Sequence, residues 1–524
     1  MARVEALVIG GGATGAGVAR DLALRGIEVL MLERGDFCAG ASGGNHGMLH
    51  SGARYAVTDP VSARECAEEG RALRRLASFC IEDCGGMFVS LPQDDPGHTA
   101  RFEKACRAAG VACQPLTVQE ARAKEPGLAG DVVNAFAVED ASVDPFSLVM
   151  GNVESAREAG AKVLNYKVVQ SFRVWRHRVE EVMFMDAITG EAERVKPEVV
   201  VNASGAWAGE VASLAGLRIA MSVDKGSMVV LDGRICNGLV NRLRPPSDGD
   251  IVVPNHSASI LGTTSSPMAR PGPVCTTREE VQSLVREASF VLPRASQARG
   301  VRAYSGIRPL LASTGRKASR GFQIIEHSSH GVENMISVIG GKLTTYRLMA
   351  ERAGDAVCKV LGSSASCRTR SEPIVSDGHE DHLEGVLQIH RRRMLSKYGP
   401  TRAKVAEACA RRPRGTELAC SCEQVLQGEL DHFASHPDVR ALGDLTRRTR
   451  AGMGYCQGGL CALSLLSSLA QRTDQDPQRL LEDYLSERWK GLWPVLEGEQ
   501  LRQEVMKRYL LTGTYHLRIR EGAP

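Results

Sequence analysis

Four cysteines far along the chain are spaced as one set: Cys420 and Cys422 in "CSC", a gap of 33 residues, then Cys456 and Cys461 in "CQGGLC". Three chemistries compete for four such thiols: a structural zinc ion, a redox-active disulfide pair, or an iron-sulfur cluster. Zinc sites favour C-x2-C knuckles, and neither C-x-C nor C-x4-C has that spacing. Four cysteine ligands suit a [2Fe-2S] centre, which is an anion. The NH groups of "GMGYCQGG", the helix starts after "CSCEQ" and at "CALSLL", and Arg447, Arg448 and Arg450 are expected to balance that charge.

A second constellation opens the chain. Gly10, Gly12 and Gly15 form G-x-G-x-x-G directly after the apolar run "ALVI" and directly before the helical pattern "AGVARDLALRG". There the first glycine permits a tight turn, the second lets backbone approach a pyrophosphate, and the third lets the helix pack closely. Glu33 ends the next apolar run, "EVLMLE", where a carboxylate can accept hydrogen bonds from a ribose diol. The fingerprint predicts dinucleotide binding and serves FAD and NAD alike. The following segment, "GDFCAGASGGNHGMLHSGARYA", together with later glycine segments, favours an enclosed FAD.

These residues need elements to hold them. Strand, glycine turn, helix and strand up to Glu33 make a βαβ unit. Glycine-punctuated apolar runs return at "PEVVVNASGAW" and "NMISVIGGKLTTYRLMAERAGDAV", with the strand-like pieces "GSMVVL", "DIVVP" and "SILGTT" between them. The expected fold class is α/β: a Rossmann-like FAD-binding domain with an interleaved mixed-sheet substrate domain, plus a small helical C-terminal iron-sulfur domain. The composition suggests divisions at 1–360 for the flavin and substrate parts, 361–414 for a linker and helical segment, 415–470 for the cysteine domain and 471–524 for a helical tail.

A chain of 524 residues is too long for one compact core. Its net charge of +4 offers no bulk field for nucleic acid, and the runs "RHR", "HRRR" and "RRPR" read as solvated faces. An odd total of 15 cysteines, most without spacing, argues against a secreted disulfide framework. Neither a signal-peptide pattern nor an apolar run of about 18 residues is present. The expected location is cytoplasmic, peripheral on the inner face of the cell membrane only through partner subunits.

The first 360 residues resemble the FAD-dependent glycerol-3-phosphate dehydrogenase family, through "GGGATGAGVARDLALRG", "HSGARYA", "GTTSS", "AYSGIRPL" and "IGGKLTTYRLMAE". The resemblance implies oxidation of sn-glycerol 3-phosphate to dihydroxyacetone phosphate, with a hydride passing from the central carbinol carbon to FAD. It places Arg54, Tyr55, Arg308, Arg320 and Lys342 in the substrate pocket, with Thr264 as a weaker addition; planar guanidinium donors match phosphate oxygens there. Around the flavin it extends to Ser42, to His46, Gly47 and Leu49 of the "NHGMLH" loop, to Gly205 and Trp207, and to Gly340, Gly341, Lys342, Leu343 and Thr344. The helix that starts near "KLTTYRLMAERA" is expected to aim its N-terminal NH groups at the reduced flavin ring. His50 is the histidine best placed by position to take the hydroxyl proton, and a flavin-packing role suits it and His46 equally well.

The cysteine spacing resembles a bacterioferritin-associated ferredoxin-like [2Fe-2S] module. That implies a one-electron exit from FAD toward redox partners of B and C type and membrane quinone. Two rival readings remain at this level: another FAD-dependent alcohol or amine oxidoreductase, and a redox sensor that uses flavin and cluster to regulate partner binding.

Overall fold

The computed structural model describes residues 2–311, 321–375 and 386–520. Val4, Ala6, Leu7, Val8 and Ile9 are all buried, so the strand Ala2–Ile9 (β1) is covered on both faces, as an interior parallel strand must be. The chain turns at the glycines into the helix Ala13–Leu24 (α1) and returns as Val29–Leu32 (β2), parallel to β1 with Ile9 beside Leu32. The helix Pro145–Glu158 (α2) and the strand Ala192–Asn202 (β3) come much later, with β3 parallel to β1 on its other side. The end of β3 pairs with Met335–Gly340 (β4), which leads into the helix Tyr346–Leu361 (α3). Strand ends from three distant stretches therefore meet at one edge.

Helices α1, α2 and α3 share a core through Ala16, Ala19, Val149, Val153, Tyr346 and Ala350. Gly17 permits the close approach of α1 to α3, because a Cβ there would lie 2.9 Å from the Tyr346 ring.

Between β2 and β4 the chain builds a second, nine-stranded mixed sheet. Its longest pair is Met221–Leu231 against Gly300–Leu311, antiparallel, with Asp224 directly opposite Arg308. The helix Arg278–Val291, begun by a Thr277–Glu280 capping box, covers this sheet with Val281, Leu284 and Ala288. The class is as expected: an α/β flavin-type fold with an interleaved mixed sheet and a helical C-terminal region.

One hydrophobic core draws on residues from Val386 to Ile519, so the helical segment, the cysteine segment and the tail pack together. Leu442–Thr449 (α4) and Pro477–Leu492 (α5) supply Leu442, Leu445, Leu481, Leu485 and Trp489 to it. Helix α4 also docks this region onto the flavin half. Arg447 Nε lies 2.6 Å and Arg448 Nη1 2.9 Å from Asp36 Oδ2, three residues beyond Glu33. Burial pushes the Asp36 carboxyl up, but Arg448 and Arg447 outweigh it and hold the group down at about 2. Tyr166 donates a hydrogen bond to Asp444 at 2.8 Å across the same seam.

The polar stretch read as a linker is docked over the part that is described, 362–375. The buried Arg20 donates to the carbonyls of Glu372 and Pro373, Arg25 donates to that of Ala365, and the Ile374 NH donates to Leu76 O at 2.8 Å. Backbone carbonyls of this stretch are thus satisfied by buried arginines rather than by water. No helix among the described residues is long and apolar enough to cross a membrane.

Candidate active site

A cleft of about 1880 Å³ runs between the two sheets, from Gly10, Gly12 and Glu33 at one end to Arg54, Lys342 and Arg308 at the other. Its glycine end is built by close approach. Gly10 has φ +113, and a Cβ on it would lie 2.5 Å from the Ala203 carbonyl oxygen. Gly15 stands behind the wall, where a Cβ would lie 1.8 Å from Gly10 O. Ser42 Oγ accepts from Ala13 N at 2.9 Å, so a hydroxyl occupies one donor at the start of α1. Glu33 accepts from Gly11 N at 2.6 Å and Gly35 N at 2.8 Å; burial nevertheless raises its pKa. The Arg34 guanidinium lies 3.8 Å over the Trp207 ring, and both residues line the cleft beside Gly205. The wide cavity, the glycine turn and the carboxylate at the end of β2 fit a dinucleotide of FAD's size.

Midway, Gly340 and Gly341 have φ +81 and +85, and a Cβ on Gly341 would lie 2.3 Å from Met349 Sδ. Only glycine lets the chain turn here from β4 toward α3 without displacing that side chain. Lys342 and Leu343 line the cleft. Thr344 stands behind it and accepts from the His50 NH at 3.0 Å, while Leu49 is buried and pairs with Ala141, and Gly47 turns with φ +69.

The far end gathers the charged and titratable residues. His50 packs against Tyr55 at 5.3 Å and His46 at 6.0 Å between ring centroids, and Lys342 Nζ lies 4.7 Å over the Tyr55 ring. Burial, then Arg54 and Arg308, hold the His46 imidazole down at about 3, so it is neutral across the physiological range. Arg54 donates to Asp250 at 2.9 Å, and Arg308 pairs with Asp224 and donates to Thr263 Oγ1 and Thr264 O. Thr264 contributes its backbone: its buried hydroxyl accepts from Ser227 N and donates to Glu280. Arg320 lies outside the described residues. Asp224 and Asp250, which hold the two arginines, carry no signal in sequence; the Asp224–Arg308 pairing becomes visible only with the strand register.

The four cysteines come together as two pairs. Cys420 lies beside Cys461, and their interaction holds the Cys420 thiol down at about 6. Cys422 interacts in the same way with Cys456. The first pair is buried and the second half-buried, so the site has an inner and an outer side. Among the described residues, the trio of metal-capable groups within 4.8 Å of one another is Glu154, His436 and Asp438, whose carboxylates are already paired with Arg157. The four sulfurs therefore do not close around a single point.

The arginines expected to balance a cluster are engaged elsewhere. Arg447 and Arg448 pair with Asp36, and Arg450 pairs with Glu423 and with Asp144, the N-cap of α2. Adjacency in sequence to Cys456 does not commit them to the thiols; Asp36 and Asp144 across the seam, and Glu423 next to Cys422, take up their charge.

The FAD dependent oxidoreductase family matches residues 5–347 of this chain. The A subunit of anaerobic glycerol-3-phosphate dehydrogenase from Escherichia coli K12 is 41% identical over 97% of this chain and 96% of its own length. The A1 subunit of the enzyme of the same name from Haloferax volcanii is 36% identical over 97% of this chain and 90% of its own length. The structure of glycerol-3-phosphate dehydrogenase from Bacillus halodurans complexed with FAD matches with a TM-score of 0.76 at 21% identity, covering 95% of this chain and 96% of that one, a likeness of fold. A dinucleotide turn on a parallel sheet, the family match over the flavin half and the full-length relatives agree: the chain belongs to the FAD-dependent oxidoreductases, in the family of anaerobic glycerol-3-phosphate dehydrogenase A subunits.

Proposed function

We propose that this chain oxidises sn-glycerol 3-phosphate to dihydroxyacetone phosphate, the substrate named for its relatives. The observation that carries the reading is Arg54, Arg308 and Lys342 at one end of a cleft whose other end is a dinucleotide turn. A phosphate monoester needs converging cationic donors, and Arg54 and Arg308 are oriented for it by Asp250 and Asp224. FAD, when bound, supplies the acceptor for the hydride leaving the carbinol carbon. The NH groups around Gly10–Gly15 would hold its pyrophosphate, Glu33 its ribose, and Gly340–Leu343 the ring end. We assign proton acceptance from the substrate hydroxyl to His50, since His46 is held too weakly basic for it, with Lys342 stabilising negative charge on that oxygen.

The paired cysteines support a [2Fe-2S] centre over zinc. One tetrahedral zinc would draw four sulfurs to about 3.8 Å from one another, whereas two irons take two thiolates each. In this reading Cys420, Cys422, Cys456 and Cys461 would hold the cluster. Such a centre would supply one-electron transfer toward redox partners of B and C type and membrane quinone, which would make the chain peripheral to the membrane through those partners. The relatives are themselves named as subunits, which agrees with such a complex.

The test is a substrate comparison with a one-electron dye as acceptor: glycerol 3-phosphate should give dihydroxyacetone phosphate, and glycerol at the same concentration almost none. Equal turnover of glycerol would count against a phosphate-reading pocket.

A further inference from the structure

The three arginines nearest in sequence to Cys456 are paired with carboxylates, which raises the question of what balances the added negative charge when the cysteine site takes up an electron. The strand Gly300–Leu311 of the substrate-side sheet offers an answer. Arg302 reaches from it to Gln457, donating to Oε1 at 3.4 Å, and Gln457 is joined to Cys456 by a peptide bond. Arg302 has no ion-pair partner among the described residues. It is half-buried beneath α5, and Gly491 makes room for it: a Cβ there would lie 3.1 Å from Arg302 Cγ and Nε. Burial lowers its pKa, with Tyr484 and Glu487 nearby opposing that. A half-buried guanidinium without a paired carboxylate is unusual, because only the Glu487 carboxylate nearby offsets the cost of desolvating it.

Its neighbours show that the arrangement is local. Arg488 also serves the cysteine loop, donating to Gln457 O at 2.7 Å and Cys456 O at 3.3 Å, but its charge is balanced by Glu504 at 2.9 Å. Gln457 ties the loop back on itself through Met453 O and Gly454 O, so Arg302 meets a fixed turn. Two residues along the same face of the strand, the Tyr304 hydroxyl donates to Asn45 O at 2.8 Å in the cleft wall. One strand thus touches both sites.

We propose that Arg302 is the positioning and counter-charge residue of the cysteine site: it seats the Cys456 loop and stabilises the extra negative charge that a one-electron reduction places on the four-thiolate centre. This rests on the [2Fe-2S] reading. Reduction adds one electron, from the substrate-reduced flavin in turnover or from dithionite in a titration, and transfers no atoms. A fixed cation favours the reduced form and so raises the midpoint potential.

The experiment is an EPR-monitored redox titration of the iron-loaded holoprotein without substrate, comparing Arg302→Met, Arg302→Lys and Arg488→Met. Removing one fixed charge beside the cysteine loop should weaken the reduction equilibrium about tenfold, a fall of about 59 mV for one electron. Arg302→Lys, which keeps the charge, should stay near wild type, and Arg488→Met should shift the potential less than Arg302→Met. An unchanged potential in Arg302→Met overturns the proposal, as does a fall of the same size in Arg302→Lys or Arg488→Met, which would point to a disturbed loop. Should Arg302→Met fail to fold, Arg302→Gln removes the same charge while keeping a donor to Gln457. Absence of a [2Fe-2S] signal in the wild-type protein would instead sink the cluster reading itself, and this inference with it, while substrate bleaching of the flavin would still stand.

Discussion

The cleft and the cysteine site treat their arginines in opposite ways. In the cleft, Arg54 and Arg308 are each fixed by a carboxylate, Asp250 and Asp224, and still line the cavity. At the cysteines, Arg447, Arg448 and Arg450 are tied to carboxylates across a seam and are used to dock one half of the molecule on the other. Pairing aims a guanidinium at a ligand in the first case and takes its charge out of play in the second. What separates them is where the carboxylate sits, buried behind the wall of the same cleft or in another part of the chain.

The comparison can be broken at the pocket first. Arg308→Ala should lower kcat/KM for glycerol 3-phosphate by about a hundredfold to several thousandfold, the cost of removing one partner of a buried charge pair at a binding site, with FAD content unchanged. A loss below about threefold in steady-state assays would mean Arg308 serves the sheet and not the substrate. At the seam, Asp36→Asn should cost about 3 kcal/mol of stability, because Arg447 and Arg448 lose the carboxylate they share. Denaturant unfolding checks this, and a cost no larger than that of a surface pair would show that the seam is wet. Both imidazoles can be compared in the cleft: His50→Gln should lower kcat by about a hundredfold, and His46→Gln should cost much less, because His46 is too weakly basic to accept the proton.

The smallest effect is in the acid limb. Asp36 is depressed to about 2 in the folded chain from an ordinary carboxyl value near 4, so the unfolded chain binds the proton first. Its contribution to stability is complete above about pH 4 and is lost as the pH falls toward 2, amounting to about 2 kcal/mol. In Asp36→Asn that part of the acid dependence should disappear from unfolding curves between those pH values.

Much of the flavin half is legible in sequence because its determinants are local. Gly10, Gly12, Gly15 and Glu33 fall within one βαβ unit, and strand and helix periods flank them. The interleaved sheet is legible as strands but not as register, so the pairing of Asp224 with Arg308 is beyond reach. The stretch 362–375 reads as a linker because composition records polarity and not what satisfies it; Arg20 and Arg25 do so from α1 and its C-terminal end. Arg447, Arg448 and Arg450 mislead for the same reason, since Asp36 and Asp144 lie hundreds of residues away. Arg302 gives no signal at all: nothing in "GVRAYSG" connects it to a cysteine loop about 150 residues downstream.

The central claim is that substrate electrons enter at the cleft and leave at the cysteines. Its most direct test is an anaerobic visible and EPR spectrum of the purified chain before and after glycerol 3-phosphate. The account predicts bleaching of the flavin together with the rhombic signal of a reduced [2Fe-2S] centre in the same sample. Bleaching of a flavin in a protein that holds no iron, or no bleaching at all, would contradict it.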